Sequence, residues 1–347
     1  MTLAARYTSA RTLDTAPVEP FPPGPGEVEL APAFVGICGT DLHIFHGDMD
    51  ARVRTPAVLG HEMSGRVVRV GPGVEGWAPG DAVTVMPLRW DDTCPACRAG
   101  HQHVCQHLDF IGIDSPGAMQ QRWTVPASTL IRLPESLALD RAALVEPTAV
   151  AVHDVGRAKV AEGEKVVVVG GGPVGILIAL VARAAGAEVR VVELSPHRRL
   201  LAEELGLATW DPAATDVPEL VREWTGDAGA DVAFEVSGAA GGVDTAVDVL
   251  GVRGRLCLVA IHPRPREINL HRFFWRELTL IGARLYDRSD FENAVALVAD
   301  GTIPAERLIS KVVPLTEAPA AFEALEGGGN VMKILVDCTD DTQGATA

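Results

Sequence analysis

The chain has 347 residues, 47% of them hydrophobic, with 46 acidic against 30 basic side chains and a formal net charge of −16. That length exceeds one ordinary core and predicts two domains. The acid surplus speaks against a nucleic-acid partner, which needs a concentrated basic face, and the longest apolar run, VGILIALVA, falls short of the roughly 18 residues of a membrane span.

The N-terminal MTLAARYTSARTL lacks the uninterrupted apolar core of a secretory leader, so a soluble, cytoplasmic protein is expected. The first stretch is rich in Gly and Pro and carries short Val-rich runs such as GEVELAPAFVG, SGRVVRVG and GDAVTVMP. Short strands between frequent turns predict a β-rich, barrel-like domain over 1–154. Over 155–285 the pattern changes. VVVVG, VRVVEL, DVAFEVSG and RLCLVAI alternate with helical stretches. Continuous β-branched runs suit strands buried on both faces, which predicts a doubly wound parallel sheet and an α/β two-domain chain. FENAVALVAD then predicts a helix, and KVVPL and KILVDC predict strands that return to the first domain over 286–347. The small, polar TDDTQGATA is expected to fray.

The first strand of the second domain runs into G-x-G-x-x-G at Gly170, Gly172 and Gly175. The hexamer alone is weak, but here it follows a strand and opens a helix at Pro173 and Val174, the context a dinucleotide site requires. Pro173 suits a first helical turn, and the helix N-terminus would face the phosphates. Glu193 ends the next strand, where a carboxylate accepts from ribose hydroxyls and repels a 2′-phosphate, favouring NAD over NADP. Arg198 and Arg199 lie five and six residues further on and complicate that reading; one of them can lie along the adenine. Val236-Ser237-Gly238 and Val259-Ala260-Ile261 are expected to end later strands, and Ser237 and Ile261 are candidates for flanking the nicotinamide, since ligands sit beyond strand C-termini in such sheets.

Three of the six cysteines, Cys94, Cys97 and Cys105, cluster, which in a long cytosolic chain favours metal over disulfides. Upstream, Cys38, Thr40, Asp41 and His43 share the string FVGICGTDLH, and His61-Glu62 follows in LGHE. Taken singly, Cys38 reads as a buried thiol, His61 as a core histidine and Glu62 as a surface charge. As a unit, thiolate, imidazole and carboxylate suit Zn²⁺ and leave a position open for water or substrate.

Together with LGHEMSGRVVRVG, GDAVTV, ALVEPTAVAVH and GGGPVG, these strings resemble the zinc-dependent medium-chain dehydrogenase/reductase family over nearly the whole chain, and most of all its polyol, 2,3-butanediol and threonine dehydrogenase branch. The resemblance implies a GroES-like catalytic domain and a Rossmann domain. It implies that Cys38, His61 and Glu62 bind a catalytic zinc, with Glu146 of LVEPTAV near it directly or through water. It implies a second, structural zinc whose C-x2-C-x2-C-x7-C pattern is met here by Asp91, Cys94, Cys97 and Cys105, with aspartate in the first place. Thr40 and His43 match the family's proton relay, and Asp41 is a candidate brace for a histidine ligand. Arg284 and Tyr286 match a region near substrate or cofactor, and Lys333 a recurrent position whose role the sequence does not define. The implied reaction passes hydride from a secondary alcohol to NAD. A polyol, cyclitol or vicinal diol is the first expectation for the substrate; L-threonine is the alternative, and a non-catalytic NAD-binding member of the fold is the rival class. Relatives in the branch imply a homo-oligomer, commonly a tetramer, with a dimer as the alternative.

Overall fold

A computed structural model describes residues 1–262, 264–326 and 330–339. Beyond Thr339, the tail expected to fray lies outside the described residues. The chain divides into two compact units, Met1–Glu146 with the segment from Asp287 onward, and Pro147–Tyr286. The first division falls at Glu146, inside helix Val145–Arg157, where the sequence alone placed it at 154. The boundary lies inside a continuous helix, with Pro147 in its first turn, so no loop marks it in the sequence.

In the first unit, strand Glu27–Gly36 is the hub of a seven-stranded sheet. It pairs antiparallel with Glu62–Val70, Trp123–Pro126 and Lys333–Asp337. The last of these pairs in parallel with Ile309–Pro314. A three-stranded sheet built on Thr2–Ser9 and a small pair, Leu88–Arg89 with Asp109–Phe110, complete the strands of this unit. The hub is buried along most of its length: Val28, Leu30 and Val35 are fully buried, and Glu29 between the first two is nearly so.

The second unit holds a six-stranded parallel sheet. Its order is Ala208–Trp210, Glu188–Val192, Lys165–Val169, Ala230–Glu235, Leu250–Leu258 and Thr279–Gly282. Val166, Val167 and Val168 are fully buried, as a strand covered on both faces requires. The chain leaves Lys165–Val169 in one direction for Glu188–Val192 and later returns to its other side at Ala230–Glu235. That reversal opens a crevice at the strand C-termini, where doubly wound sheets bind ligands. Among the described residues, no helix is long and apolar enough to cross a membrane.

Candidate active site

Strand pairing assembles the first cluster. Gly36 stands opposite Glu62 in the antiparallel register. A Cβ on Gly36 would lie 2.2 Å from Glu62 Oε2, so only glycine leaves the carboxylate its place. Two residues on, Cys38 caps helix Gly39–Phe45. Its backbone N–H donates to Asp41 Oδ2 at 2.9 Å, and its Sγ accepts from Thr40 N at 3.5 Å, a capping box that fixes the thiol's direction. Donor atoms of Cys38, His61 and Glu62 lie within 4.8 Å of one another.

Charge and burial make this cluster unusual. Asp41 is fully buried, and its Oδ1 lies 3.6 Å from His61 Nδ1. Neither atom has a hydrogen-bond partner. Burial pushes the Asp41 carboxyl above its ordinary range, against the pull of His61. Burial opposes the charge of His61, yet Asp41 and Cys38 outweigh it and hold the imidazole well above its usual value. Phe110 closes one side, its ring edge-on to His61 at 5.1 Å. A half-buried thiol, a buried imidazole and a buried carboxylate converge here, beside the ammonium described next. The donor set fits a zinc ion.

That ammonium belongs to Lys333. Its Nζ donates to Glu62 Oε2 at 2.6 Å and Oε1 at 2.8 Å, and to the Ile37 carbonyl at 3.3 Å. Burial opposes its charge, but Glu62 and Cys38 more than compensate, so the ammonium titrates above its ordinary range. Glu146 is buried in the first turn of Val145–Arg157 but stands outside the tight donor group. Its charge still acts on both His61 and Lys333. Thr40 and His43 share one face of their short helix, three residues apart. His43 Nδ1 lies 3.2 Å from Asp48 Oδ2 at the surface.

The second cluster is Asp91, Cys94, Cys97 and Cys105, whose donor atoms also lie within 4.8 Å of one another. All six cysteines are free. Cys94 and Cys105 Sγ are 3.8 Å apart, and backbone N–H groups of Gln106 and Cys97 pull the Cys94 thiol down to about 7. Asp91 Oδ1 accepts from the N–H groups of Thr93 and Cys94, each at 2.9 Å. Its Oδ2 meets His107 Nδ1 at 2.5 Å, and this partner, first among several, drives the carboxyl far below its ordinary range.

In the second unit, a Cβ on Gly175 would lie 1.9 Å from the Gly170 carbonyl, so helix Pro173–Ala184 can start this close to its strand only with glycine there. Gly172 caps that helix without a side chain, Pro173 and Val174 open it, and its first N–H groups face outward. Glu193 Oε2 accepts from Gly171 N at 2.6 Å and Oε1 from Ser195 N at 2.7 Å, which ties the acidic residue to the glycine turn. The two arginines part company. Arg199 pairs with Asp211 at 2.9 Å and donates to the Glu193 and Leu194 carbonyls. Arg198 reaches over the turn, its Nη1 3.8 Å from where a Gly172 Cβ would be. Ser237 donates through both N and Oγ to buried Glu235, whose other oxygen meets His262 Nε2 at 2.8 Å. Ile261 is 67% exposed, Arg284 is exposed, and Tyr286 is fully buried.

Known proteins are similar to this chain over nearly its whole length. The family described as an alcohol dehydrogenase GroES-like domain matches residues 24–135, and that described as a zinc-binding dehydrogenase matches residues 173–300. A 2-dehydro-3-deoxy-L-galactonate 5-dehydrogenase of Pseudoalteromonas atlantica is 48% identical over 335 residues, covering 96% of this chain and 98% of its own. The chain belongs to the zinc-dependent medium-chain dehydrogenase/reductase family. The solved 2R,3R-butanediol dehydrogenase of Bacillus subtilis matches this dehydrogenase with a TM-score of 0.90 and 33% identity, over 97% of this chain and 99% of that one. A zinc-binding dehydrogenase of Sinorhizobium meliloti, bound to NADP, matches with a TM-score of 0.91 and 32% identity, over 97% and 99%. The dehydrogenase is thus an oxidoreductase of secondary alcohols with a GroES-like and a Rossmann-like part.

Three side chains escaped the sequence reading. Lys333 was noticed without a role, and its partner Glu62 is 271 residues away. His107 stands two residues beyond the last clustered cysteine, and that proximity was the one available signal. Glu235 looks like an ordinary strand residue until its carboxylate is seen to gather the turn that follows.

Proposed function

We propose that this dehydrogenase oxidises a secondary hydroxyl of a sugar acid or polyol and passes the hydride to NAD. The observation that carries the reading is the close donor group of half-buried Cys38 with buried His61 and Glu62. A zinc ion held there supplies a Lewis acid that favours the alkoxide at neutral pH. Asp41 faces His61 Nδ1 at 3.6 Å and supports its charge, and Phe110 packs edge-on against the ring. Thr40 would take up the hydroxyl proton, and His43, at the surface beside Asp48, would release it to solvent. Glu146 approaches the same group through water.

Gly170, Gly172 and Gly175, with the N-terminus of Pro173–Ala184, would hold the pyrophosphate of a dinucleotide. Glu193 receives the adenosine ribose hydroxyls, and Arg198 covers the adenine side. NAD is favoured because Glu193 is held at the ribose position by two backbone N–H groups and would face a 2′-phosphate. Ser237, Ile261 and Arg284 line the nicotinamide half. The cluster of Asp91, Cys94, Cys97 and Cys105 holds a structural zinc, with His107 orienting the carboxylate.

The 48% identical relative makes a C5 hydroxyl of a 3-deoxy sugar acid the first substrate to try. Simple diols and L-threonine follow. We also propose a cytoplasmic protein, in keeping with its free cysteines, and a homo-oligomer, tetrameric or dimeric. Edge strand Thr279–Gly282 supports self-association, with Leu280, Phe274 and Trp275 exposed beside it. Assay of purified enzyme with NAD and NADP against 2-dehydro-3-deoxy-L-galactonate, sorbitol, 2,3-butanediol and L-threonine tests the reading. NADH formation fastest with the sugar acid or a polyol is expected. NADH from none of them would leave the non-catalytic alternative.

A further inference from the structure

One cation is built into the first metal cluster. Leu335 pairs with Gly36, which sets Lys333 alongside the chain entering Cys38. Its side chain is buried, and Glu62, which it holds by both oxygens, is 2% exposed. Glu62 is also the one carboxylate in the group with Cys38 and His61. The oxygen a metal would use is therefore already in contact with an ammonium.

We infer that Lys333 is a resident counter-cation that loosens this site's grip on its metal by holding Glu62 in the metal-free chain. The inference rests on the donor set proposed above. Two effects act in the same direction. A metal ion that takes an oxygen of Glu62 must share it with Lys333, so part of its gain replaces an ion pair that already exists. The ammonium also repels a dication across a short, poorly screened distance. Without Lys333, buried Glu62 would lose the ammonium that contacts both of its oxygens. The metal-free chain would rise in free energy relative to the loaded one, and binding would tighten. A lysine that merely filled space would have the opposite signature, since its loss would loosen the packing around the ligands.

Lys333→Met keeps the length and apolar stem and removes the charge; Lys333→Arg keeps the charge. Metal-free wild type and both variants are titrated with Co²⁺ against a competing chelator, and Co²⁺ absorption is followed. The component belonging to this centre is the one missing from Cys38→Ser. Lys333→Met should retain Co²⁺ about tenfold more tightly, in the range by which outer partners alter such sites, and Lys333→Arg should stay close to wild type. Folding is checked by circular dichroism, and Lys333→Gln serves the same comparison if the Met variant does not fold. A folded neutral variant that binds Co²⁺ as weakly as wild type, or more weakly, would overturn the inference. Wild type lacking the Cys38-dependent component would overturn the donor set itself, before any Lys333 variant is compared.

Discussion

Cys38 has two tasks, capping a short helix and presenting a thiol to His61 and Glu62. The cap uses its backbone N–H toward Asp41, so the thiol is aimed rather than merely near. Cys38→Ser keeps an N-cap of good propensity and removes the soft ligand. Turnover should fall by roughly two orders of magnitude or more, since even outer-shell changes at such centres cost about 10- to 100-fold. NAD binding, measured by fluorescence titration, should persist. Unchanged turnover would remove Cys38 from the chemistry. At this scale the sequence was most legible where partners are close along the chain. Cys38, Thr40, Asp41 and His43 fit within one helical turn and its cap, and His61-Glu62 is a single dipeptide. Lys333 was illegible because only the pairing of Lys333–Asp337 with Glu27–Gly36 carries it to Glu62. Asp91 came to notice through the resemblance to the family's four-ligand pattern, whereas the pairing that holds it with His107 is a feature of loop geometry.

At the level of elements, each site is placed by a junction where a strand meets a turn or helix. The glycine turn at 170–175 joins Lys165–Val169 to Pro173–Ala184 with no room to spare. Gly175→Ala forces a Cβ against the Gly170 carbonyl, an overpacking that costs about 1–3 kcal/mol. Both thermal stability and NAD affinity should drop, and an unaltered NAD titration would separate this turn from the cofactor. The strand periods that revealed the parallel sheet were plain, because runs such as KVVVV are buried on both faces. The division within Val145–Arg157 was hidden, because helical periodicity passes through it unbroken. A second element test concerns Thr2–Ser9. Tyr7 is buried there and donates to Asp50 Oδ1 at 2.5 Å in the loop beyond helix Gly39–Phe45. Burial first, then Asp50, raises its phenol to about 12. An unfolded tyrosine ionises near about 10. The folded state thus prefers the neutral phenol, and that contribution is whole below pH of about 10 and lost as pH rises toward 12. Alkaline titration of phenolate absorbance should show a late step that Tyr7→Phe abolishes; ionisation at the ordinary value would contradict this contact.

For the whole molecule, composition and topology say different things. The net charge of −16 speaks against a nucleic-acid partner and names no other. The six-stranded sheet ends on Thr279–Gly282, an edge that soluble proteins cover or protect. Leu280→Lys on that strand should shift the proposed oligomer toward smaller species in light scattering, with the fold intact. Identical mass for wild type and variant would locate self-association elsewhere. Substrate class was the least legible property, because a hydroxyl-bearing pocket leaves no motif, and it was the 48% identical relative that moved the proposal toward a sugar acid. The most direct measurement is bound zinc and NAD reduction determined on one purified sample, before and after chelation. Zinc-loaded protein that reduces NAD with a sugar acid or polyol, and loses that activity along with the metal, is the expected result. Full activity in folded, zinc-free protein would contradict a reaction centred on Cys38, His61 and Glu62.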